Sequence, residues 1–423
     1  MVPEIQYTAQ QSVTDAVGSL GRTEDVRFSP SNRRLAVASY YRNRIVVFDI
    51  DIASSSGATQ VALTGGVELS SPALRLPHGL DFIDDNTLIV TSRGSEDPVG
   101  GSAANVALFK LPPGEEIVRT HEVPPIARWP ANGTTLLNAP GSLAVTRVKE
   151  DVGEVLICNN CGHTVTRHLL DRAADGAMRN SEILLHKYLN FPDGVSVSPD
   201  RRWIAVSNHS THNVLLYENS PALNPDAKPD GILRRIYYPH GLRFSADGRH
   251  LFVADAGAPY LPIYAQDPDQ WRGVRHPVAT VRIMDEAVFQ RGHHSPGEGG
   301  PKGLDLDASS RILVLTSECQ PLAFFDVPLL LQHAFAGGSE REQRPLSISH
   351  ELSLMQEIHM MEERAWTLSG ETNALRNTNS ALRNTISALR NSRSWRITAP
   401  LRRLKSIFRR PHRKRKSSQH VTG

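Results

Sequence analysis

Short runs of alternating apolar and polar residues recur along about the first 330 positions of the chain. The clearest unit spans residues 191–218, and its apolar side chains stand two positions apart at Val195, Val197, Ile204, Val206, Val214 and Leu216. A period of two predicts half-buried β-strands, and the polar stretches at 198–200 and 209–212 predict the turns between them. The unit is therefore predicted to be a three-stranded meander.

Five more copies of this unit begin at Glu24, His78, Gly141, His240 and Lys302. The first five copies are each followed by one further apolar run, at 60–63, 117–123, 183–189, 232–238 and 279–284. Four-stranded units that repeat roughly every fifty to sixty residues are typical of propeller blades. The sixth copy lacks such a run, so the stretch 4–8 is predicted to complete it. The sequence thus predicts an all-β six-bladed propeller over residues 1–332.

The turns of the repeat resemble those of a known group of propellers. The motif P-[HD]-G-[LV] stands at 77–80, 192–195 and 239–242, S-[PA]-D-x-R at 198–202 and 245–249, and V-A-D at 253–255. Over about residues 5–330 this resembles the six-bladed NHL-repeat, gluconolactonase-like and TolB-like propellers, which implies the same architecture.

The same resemblance bears on metal binding. In gluconolactonase-like relatives an Asn and an Asp at the inner strands, together with a Glu, bind a metal ion. Asp193 matches that Asp, a His stands in place of the Asn, and Glu24 is the candidate for the Glu. In amidating-lyase-like relatives, histidines of such turns bind zinc.

The composition is that of an ordinary globular protein, with 39% hydrophobic and 22% charged residues among 423. No apolar run is long enough to span a bilayer, and the first ten residues lack the pattern of a secretion signal, so a cytoplasmic location is expected. Three cysteines cannot form a disulfide framework. Cys158 and Cys161 lack a nearby fourth zinc ligand, so their spacing is interpreted as chance.

A helical pattern follows the propeller. Residues 333–346 are predicted to be a linker, and 347–392 a coiled coil, because leucine or methionine recurs every seven residues at Leu354, Met361, Leu368, Leu375, Leu382 and Leu389. The other core positions, which include Asn379 and Ile386, favour a parallel dimer. The alternative is a single helix packed on the propeller.

The net charge of +3 hides a strongly basic C-terminus. Of the 47 Lys and Arg residues, 14 lie after Glu371, where no acidic residue occurs, so the first 371 residues carry 33 basic against 44 acidic residues, a net charge of −11. In the tail, 393–423, apolar and basic side chains form an amphipathic helical pattern: Trp395, Ile397, Leu401, Leu404 and Phe408 with Arg402, Arg403, Arg409 and Arg410. This pattern predicts binding to an anionic membrane surface, with nucleic acid as the competing and less favoured partner.

The stretch SWRITAPLR at 394–402 resembles a segment that follows a coiled coil in bacterial proteins of surface-polysaccharide synthesis, glycosyltransferases among them. That resemblance implies a place in the same kind of process.

Propeller strands alternate in direction, so the connections that lead into inner strands and those between second and third strands open on one face. Their polar residues are predicted to form one ligand-binding rim, to which the insertion 287–301 adds two histidines. The rim comprises His78, Asp193, His240, Lys302, Asn208, His209, Asp255, His293 and His294.

Two imidazoles and a carboxylate around an axis can hold a divalent ion, zinc or calcium, and leave positions open for a substrate. The candidate ligands are His78, His240 and Asp193, with Glu24 as a further one. A second interpretation is purely structural: the Gly of each P-H-G turn adopts a positive φ, and the His hydrogen-bonds to a neighbouring blade.

Two functions follow from these patterns. The first is a ligand- or partner-binding scaffold in surface-polysaccharide synthesis, paired by its coiled coil and placed at the inner membrane face beside glycosyltransferases. The alternative is a metal-dependent, lactonase-like hydrolase or a lyase with its site at the central channel. No catalytic residue is assigned, and the chain lacks the G-x-S-x-G, Walker and H-E-x-x-H motifs of other enzyme classes.

Overall fold

A computed structural model describes residues 2–55, 58–94, 104–130, 136–149, 151–171, 176–267, 270–293, 298–336 and 378. The elements in chain order are β1 (Tyr7–Ala9), α1 (Gln11–Gly18), β2 (Thr23–Phe28), β3 (Arg34–Ser39), β4 (Arg44–Ser55), β5 (Ala58–Ser70), β6 (Pro77–Asp84), β7 (Thr87–Ser92), β8 (Asn105–Lys110), β9 (Thr120–Glu122), β10 (Ala127–Trp129), β11 (Pro140–Lys149), β12 (Val152–Asn159), β13 (Thr164–Asp171), β14 (Ala177–Leu185), β15 (Pro192–Val197), β16 (Trp203–Asn208), β17 (Asn213–Glu218), β18 (Gly231–Leu233), β19 (Pro239–Phe244), β20 (His250–Asp255), β21 (Tyr260–Ala265), β22 (Gly273–Arg275), β23 (Ala279–Arg282), α2 (Glu286–Gly292), β24 (Leu304–Leu306), β25 (Ile312–Leu315), β26 (Ala323–Asp326) and α3 (Val327–Ala336).

These strands form six antiparallel meanders, which confirms the predicted six-bladed propeller. Blades 1 to 6 begin with the inner strands β2, β6, β11, β15, β19 and β24, and each continues outward through the following strands. Every inner strand contacts the inner strand of the next blade, and β24 contacts β2, so the cycle is closed. The first residues of all six inner strands therefore surround one axis.

Alternation along each strand fills the spaces between blades. In blade 4, Ile204 and Val206 pack towards blade 3, whereas Ala205, which lies between them, packs towards blade 5. The buried apolar side chains form six clusters, one between each pair of neighbouring blades. Both faces of a blade are thus buried, which explains why the strands are more apolar than a sheet with one solvated face.

The N-terminal segment lies between the first and last blades, although not as predicted. Only Ile5 bridges the last strand of blade 6, through Phe324, with its amide 2.8 Å from the Phe324 oxygen. The strand β1 pairs instead with β5, in parallel, on the outer side of blade 1. The prediction that 4–8 forms the fourth strand of blade 6 is therefore wrong, but the segment does join the two ends of the ring.

The predicted fourth strand of blade 2 is also displaced. The run 117–123 contains β9, which pairs in parallel with β5 of blade 1, and the fourth strand of blade 2 is β10. β5 has 13 residues and pairs along its length with β4 on one side, so its opposite edge is free within the blade and pairs with the passing chain. The other predicted fourth strands overlap or adjoin β5, β14, β18 and β23.

The chain divides into two compact units, Met1–Gln356 and Glu357–Gly423. The helix α3 extends to Ala336, so the first residues of the predicted linker are helical. The predicted coiled coil and basic tail lie outside the described residues, apart from Thr378. Where the structure is described, it contains no helix with the length and hydrophobicity needed to cross a bilayer.

Candidate metal centre

One position of the repeat stands at the start of each inner strand or, in blade 6, two residues before it, and directly precedes the residue that is Gly in four of the blades. In blades 1 to 6 this position is occupied by Glu24, His78, Gly141, Asp193, His240 and Lys302, which we call the axial ring. In a closed ring of six blades, blades 1 and 4 lie opposite each other, as do blades 2 and 5. Two carboxylates therefore face each other across the axis, and so do two imidazoles.

The glycine that follows lets neighbouring inner strands come close together. A Cβ on Gly194 would lie 2.2 Å from the carbonyl oxygen of His240 in the next blade, and one on Gly79 would lie 2.5 Å from a backbone carbon of blade 3. Gly79, Gly194 and Gly241 all lack a positive φ, so that part of the structural interpretation of the P-H-G turn is wrong. The positive φ angles belong instead to the residues before the prolines, as in Leu76 (50°) and Tyr238 (47°). The other part of that interpretation, a contact from the His to a neighbouring blade, is found for His240, which lies 2.8 Å from Asp193 of blade 4.

The four charged or imidazole side chains of blades 1, 2, 4 and 5 meet at the axis. The Nε2 atom of His240 lies 2.8 Å from Asp193 Oδ2 and 3.2 Å from Glu24 Oε2. The Nε2 atom of His78 lies 3.5 Å from Asp193 Oδ1 and 3.8 Å from Glu24 Oε2. The two imidazole rings are stacked, with centroids 5.5 Å apart and planes 6° apart. Each imidazole therefore contacts both carboxylates.

Burial and mutual charge set the protonation of this group. All four side chains are buried. Burial lowers the pKa of His78 to about 4, so that imidazole is neutral at pH 7. Burial acts the same way on His240, but Asp193 and Glu24 outweigh it and raise its pKa to about 9. Burial opposes the charge of both carboxyls, yet their cationic neighbours hold the pKa of Glu24 and of Asp193 below its usual range.

The spacing of the donor atoms fits a metal ion. Ligand atoms at about 2.1 Å from a tetrahedral zinc lie about 3.4 Å from one another, and the four measured separations run from 2.8 to 3.8 Å. One ligand atom from each of Glu24, His78 and His240 lies within 4.8 Å of the other two. The predicted metal-ligating residues are thus brought together, with Glu24 as a full member.

Two buried atoms in this group, Glu24 Oε2 and His78 Nδ1, have no hydrogen-bond partner among the described residues, and the carboxylate oxygen is the one that lies among the donor atoms. Three potential cations, His78, His240 and Lys302, lie within 3.8 Å of Glu24 Oε2, but none donates a hydrogen bond to it in good geometry. A buried carboxylate oxygen without a donor is costly. A purely structural network would leave this cost in place, whereas coordination to a cation would remove it.

A second layer of polar side chains lies over the axial ring, and we call Arg22, Arg93, His209 and Glu298 the mouth layer. Glu298 comes from the insertion after β23; it lies 3.1 Å from His209 Nε2 and contacts Lys302 Nζ. Arg22 lies 2.5 Å from Glu24 Oε1 and 3.6 Å from Glu298. Burial opposes the charge of Glu298, but His209 and Lys302 lower its pKa. The insertion is thus held to the axial ring by charged contacts.

The remaining predicted rim residues have other surroundings. Asn208 is buried and donates to the Tyr188 carbonyl and to Thr211. Asp255 accepts hydrogen bonds from two backbone amides, and burial raises its pKa to about 7. His293 caps the end of α2 on the exposed surface against Phe289, and His294 lies outside the described residues. Asn208 and Asp255 therefore tie turns together rather than face the axis.

Two residues near the centre, Arg22 and Tyr40, were not predicted as members of the site, and a third, Asn160, was expected only among the polar residues of the connections between second and third strands. Asn160 donates to Asp193 Oδ1 at 3.2 Å, Arg22 pairs with Glu24, and the Tyr40 ring lies edge-on to His78. For Asn160 the signal was Gly141: a Cβ there would lie 2.9 Å from Asp193, so the gap that this glycine leaves is filled by the Asn160 amide. For Arg22 and Tyr40 the repeat carries no such signal.

The cysteines of the CNNC stretch are far from forming a shared site. Cys158 is buried, Cys161 is exposed and Cys319 is of intermediate exposure, and all three are free thiols. Burial raises the pKa of the Cys158 thiol well above its usual value, so it is protonated and unsuited to metal binding.

Comparisons of the sequence and the structure with known proteins assign no function to the chain. No family model matches the sequence, and no curated protein matches it. Among solved structures, the chain is similar to the crystal structure of a functionally unknown protein from Desulfotomaculum acetoxidans, with 13% identity and a TM-score of 0.46. The similarity covers 72% of this chain and 83% of the other.

Proposed function

We propose that the propeller binds one divalent metal ion at the axial ring and presents it to a small polar ligand at the mouth layer. The observation that carries this proposal is the meeting of Glu24, His78, Asp193 and His240, from four different blades, at metal-ligand spacing. The resemblance of the P-x-G turns to gluconolactonase-like and related propellers supports it. Kinship of this chain with the gluconolactonase-like and related propellers is itself part of the proposal.

The donor set favours zinc or a neighbouring first-row metal over calcium. Calcium takes six to eight oxygen ligands, whereas imidazole nitrogens suit zinc, iron, nickel and copper. Only two carboxylate side chains, Glu24 and Asp193, supply oxygen within the cluster. Asn160 steadies Asp193 by a hydrogen bond, in the manner of residues that orient a metal-binding carboxylate.

Zinc titration of the full chain tests the proposal. Protein stripped with a chelator should take up one zinc per chain in competition with a chromophoric chelator, and zinc should raise the unfolding temperature by a few degrees. Millimolar calcium should do neither. A chain that binds zinc no more tightly than the double histidine variant described in the Discussion would overturn the proposal.

A second candidate function is a metal-dependent hydrolase or lyase. It is favoured by the donor set, because two imidazoles and carboxylates around the axis can hold a metal ion and leave a coordination position open to a substrate or water. A bound zinc ion would supply a Lewis acid or an activated water. The zinc-loaded chain should then turn over members of a panel of lactones and esters, and the chelator-stripped chain should not; equal rates for the two would exclude this function.

The C-terminal sequence supports a further part of the proposal: a scaffold in surface-polysaccharide synthesis. The heptads of 347–392 would pair two propellers, and the tail 393–423 would hold them at the inner membrane face beside glycosyltransferases. Support comes from the repeat of seven, the basic amphipathic pattern and the SWRITAPLR resemblance.

The membrane role makes a separate prediction. Truncation after Leu389 removes 12 of the 14 basic residues that follow Glu371, each worth about 1 kcal/mol at an anionic surface. Co-sedimentation with phosphatidylserine vesicles should therefore be lost, while zinc binding by the propeller is retained. Binding to neutral vesicles serves as the control, and unchanged sedimentation of the truncated chain would contradict the membrane role.

A further inference from the structure

Arg93 extends across the mouth from one blade to another. It follows β7 in blade 2, and its guanidinium lies 5.9 Å from the centre of the Phe191 ring, directly before the inner strand of blade 4. Blade 3, which lies between them, contributes only Gly141 to the axial ring. The side chain thus occupies the sector of the mouth where the ring itself has no side chain.

The guanidinium of Arg93 differs from the other cations near the axis. Arg22 and Lys302 each pair with both Glu24 and Glu298. Among the described residues, Arg93 forms no ion pair, and its side chain donates no hydrogen bond. The Phe191 ring offers no conventional hydrogen-bond acceptor, so this contact leaves the N–H groups of the guanidinium available.

Within the described part of the chain, Arg93 lies beside the ion pairs of the site without one of its own. Arg22 and Lys302 hold Glu24 and Glu298, and Asp193 lies against His240. Burial disfavours the charge of Arg93, but Tyr40, Asp193 and Glu24 outweigh it and raise its pKa. A half-buried cation without a counterion attracts anions from solution.

A chain of aromatic rings begins at Phe191 beside this cation and favours a planar ligand. Phe191 also lies 5.6 Å from the His209 ring, and His209 lies 4.9 Å from Tyr238. Tyr41, which is 65% exposed, lies beneath the guanidinium of Arg22. The mouth thus offers apolar ring faces together with one free fork of N–H donors.

We propose that Arg93 is the oxyanion-binding residue of a subsite for a small planar organic anion, bearing a carboxylate or a phosphoryl group. Guanidinium edges bind both head groups in a bidentate manner. The inference deepens the proposed function, because it specifies the charge class of the ligand that would lie over the metal. The subsite itself is made of Arg93 and its aromatic neighbours, so it can be tested with and without zinc.

The experiment compares three probes of one shape by calorimetry: benzoate, phenylphosphonate and the neutral benzamide. The full chain should bind at least one of the two anions about tenfold to a hundredfold more tightly than benzamide, which is the range expected for a charged bidentate contact. Whichever anion binds more tightly identifies the head group. Equal affinity for all three probes, or saturable binding of none, overturns the proposal.

Variants of Arg93 assign the contact. Arg93→Gln should lose the preference for the anion, and Arg93→Lys should retain part of it. The control is Arg119→Gln, which removes an exposed arginine directly before β9 and should leave the preference unchanged. An Arg93→Gln protein that retains the preference overturns the assignment.

Zinc titration of Arg93→Gln separates this inference from the proposed function. Normal zinc binding with lost anion preference supports the subsite beside an intact metal centre. Anion preference in a chain that binds no zinc supports the subsite and overturns only the metal proposal. Normal zinc binding without any anion preference in the unaltered chain overturns only the subsite.

Discussion

Gly194→Ala is expected to destabilise the propeller by about 3 kcal/mol or more, which is the upper range for overpacking in a close-packed interior. The added Cβ would lie 2.2 Å from the carbonyl oxygen of His240 and 3.0 Å from Ser207 Oγ. Because the nearest atom is backbone of the next blade, no rotamer change can relieve the clash. The displaced strand carries His240, so zinc affinity should fall as well. Denaturant unfolding and zinc titration measure the two effects.

Gly18→Ala is the matched control. Gly18 ends α1 with nothing within 4 Å of its added Cβ, and alanine is the better helix former by about 1 kcal/mol. This variant should equal or exceed the stability of the unaltered chain. A Gly194→Ala protein with the same stability as the Gly18→Ala protein would show that the inner strands can separate freely, contrary to the packing described.

The double variant His78→Ala, His240→Ala is expected to bind zinc more than about a thousandfold more weakly than the unaltered chain. Loss of a single residue that merely orients a ligand costs tenfold to a hundredfold, and here two ligands are removed. His186→Ala, His333→Ala removes two exposed histidines and should bind zinc normally. Equal affinities of the two double variants would exclude the axial ring as the zinc site.

Two conservative substitutions test the same site in case the double histidine variant misfolds. Glu24→Gln and Asp193→Asn keep the side-chain volume at the axis, so circular dichroism should be unchanged while zinc affinity falls about tenfold or more. If both retain full affinity, the carboxylates are not ligands.

Zinc affinity should also depend on pH in a defined way. His240, with a pKa of about 9, must lose its proton to bind zinc, whereas His78, with a pKa of about 4, is already neutral at pH 7. One proton should therefore be released per zinc, and affinity should fall about tenfold for each pH unit below about 9. A flat profile between pH 6 and 8 would contradict this account of His240.

Much of the fold was predictable because the repeat leaves several independent marks in the sequence. A period of two, the P-x-G turns and the spacing of the copies all indicate the same blade, and six blades are found. The pairing of outer strands was less predictable. β1 and β9 both pair with the free edge of β5. β5 spans 13 residues, whereas the apolar run that predicted it covers only 60–63, so the sequence understated how much unpaired backbone this edge offers. Nothing local in 117–123 says which edge it will join.

The centre of the site was predictable for a related reason. Residues at one position of a cyclic repeat must converge, so His78, Asp193 and His240 could be placed at the axis without coordinates. Within the mouth layer, His209 was predicted as a rim residue, whereas Arg22 was not, because it reaches the axis from outside the repeated positions. The sequence also could not show why the P-x-G turns contain glycine. Close approach of two backbones and a positive φ both favour glycine, and only the structure shows that the first reason applies here.

The opposed carboxylates and imidazoles have a consequence for assembly. The donors stand in blades 1, 2, 4 and 5, as far apart in the chain as Glu24 and His240, so no three consecutive blades contain the whole donor set. An ion held there would link blades 1, 2, 4 and 5 directly to one another, whereas the inner strands otherwise contact those of adjacent blades. Loss of the ion should separate the inner strands before the outer strands of each blade unfold. Metal binding would therefore report whether the ring of six blades is closed.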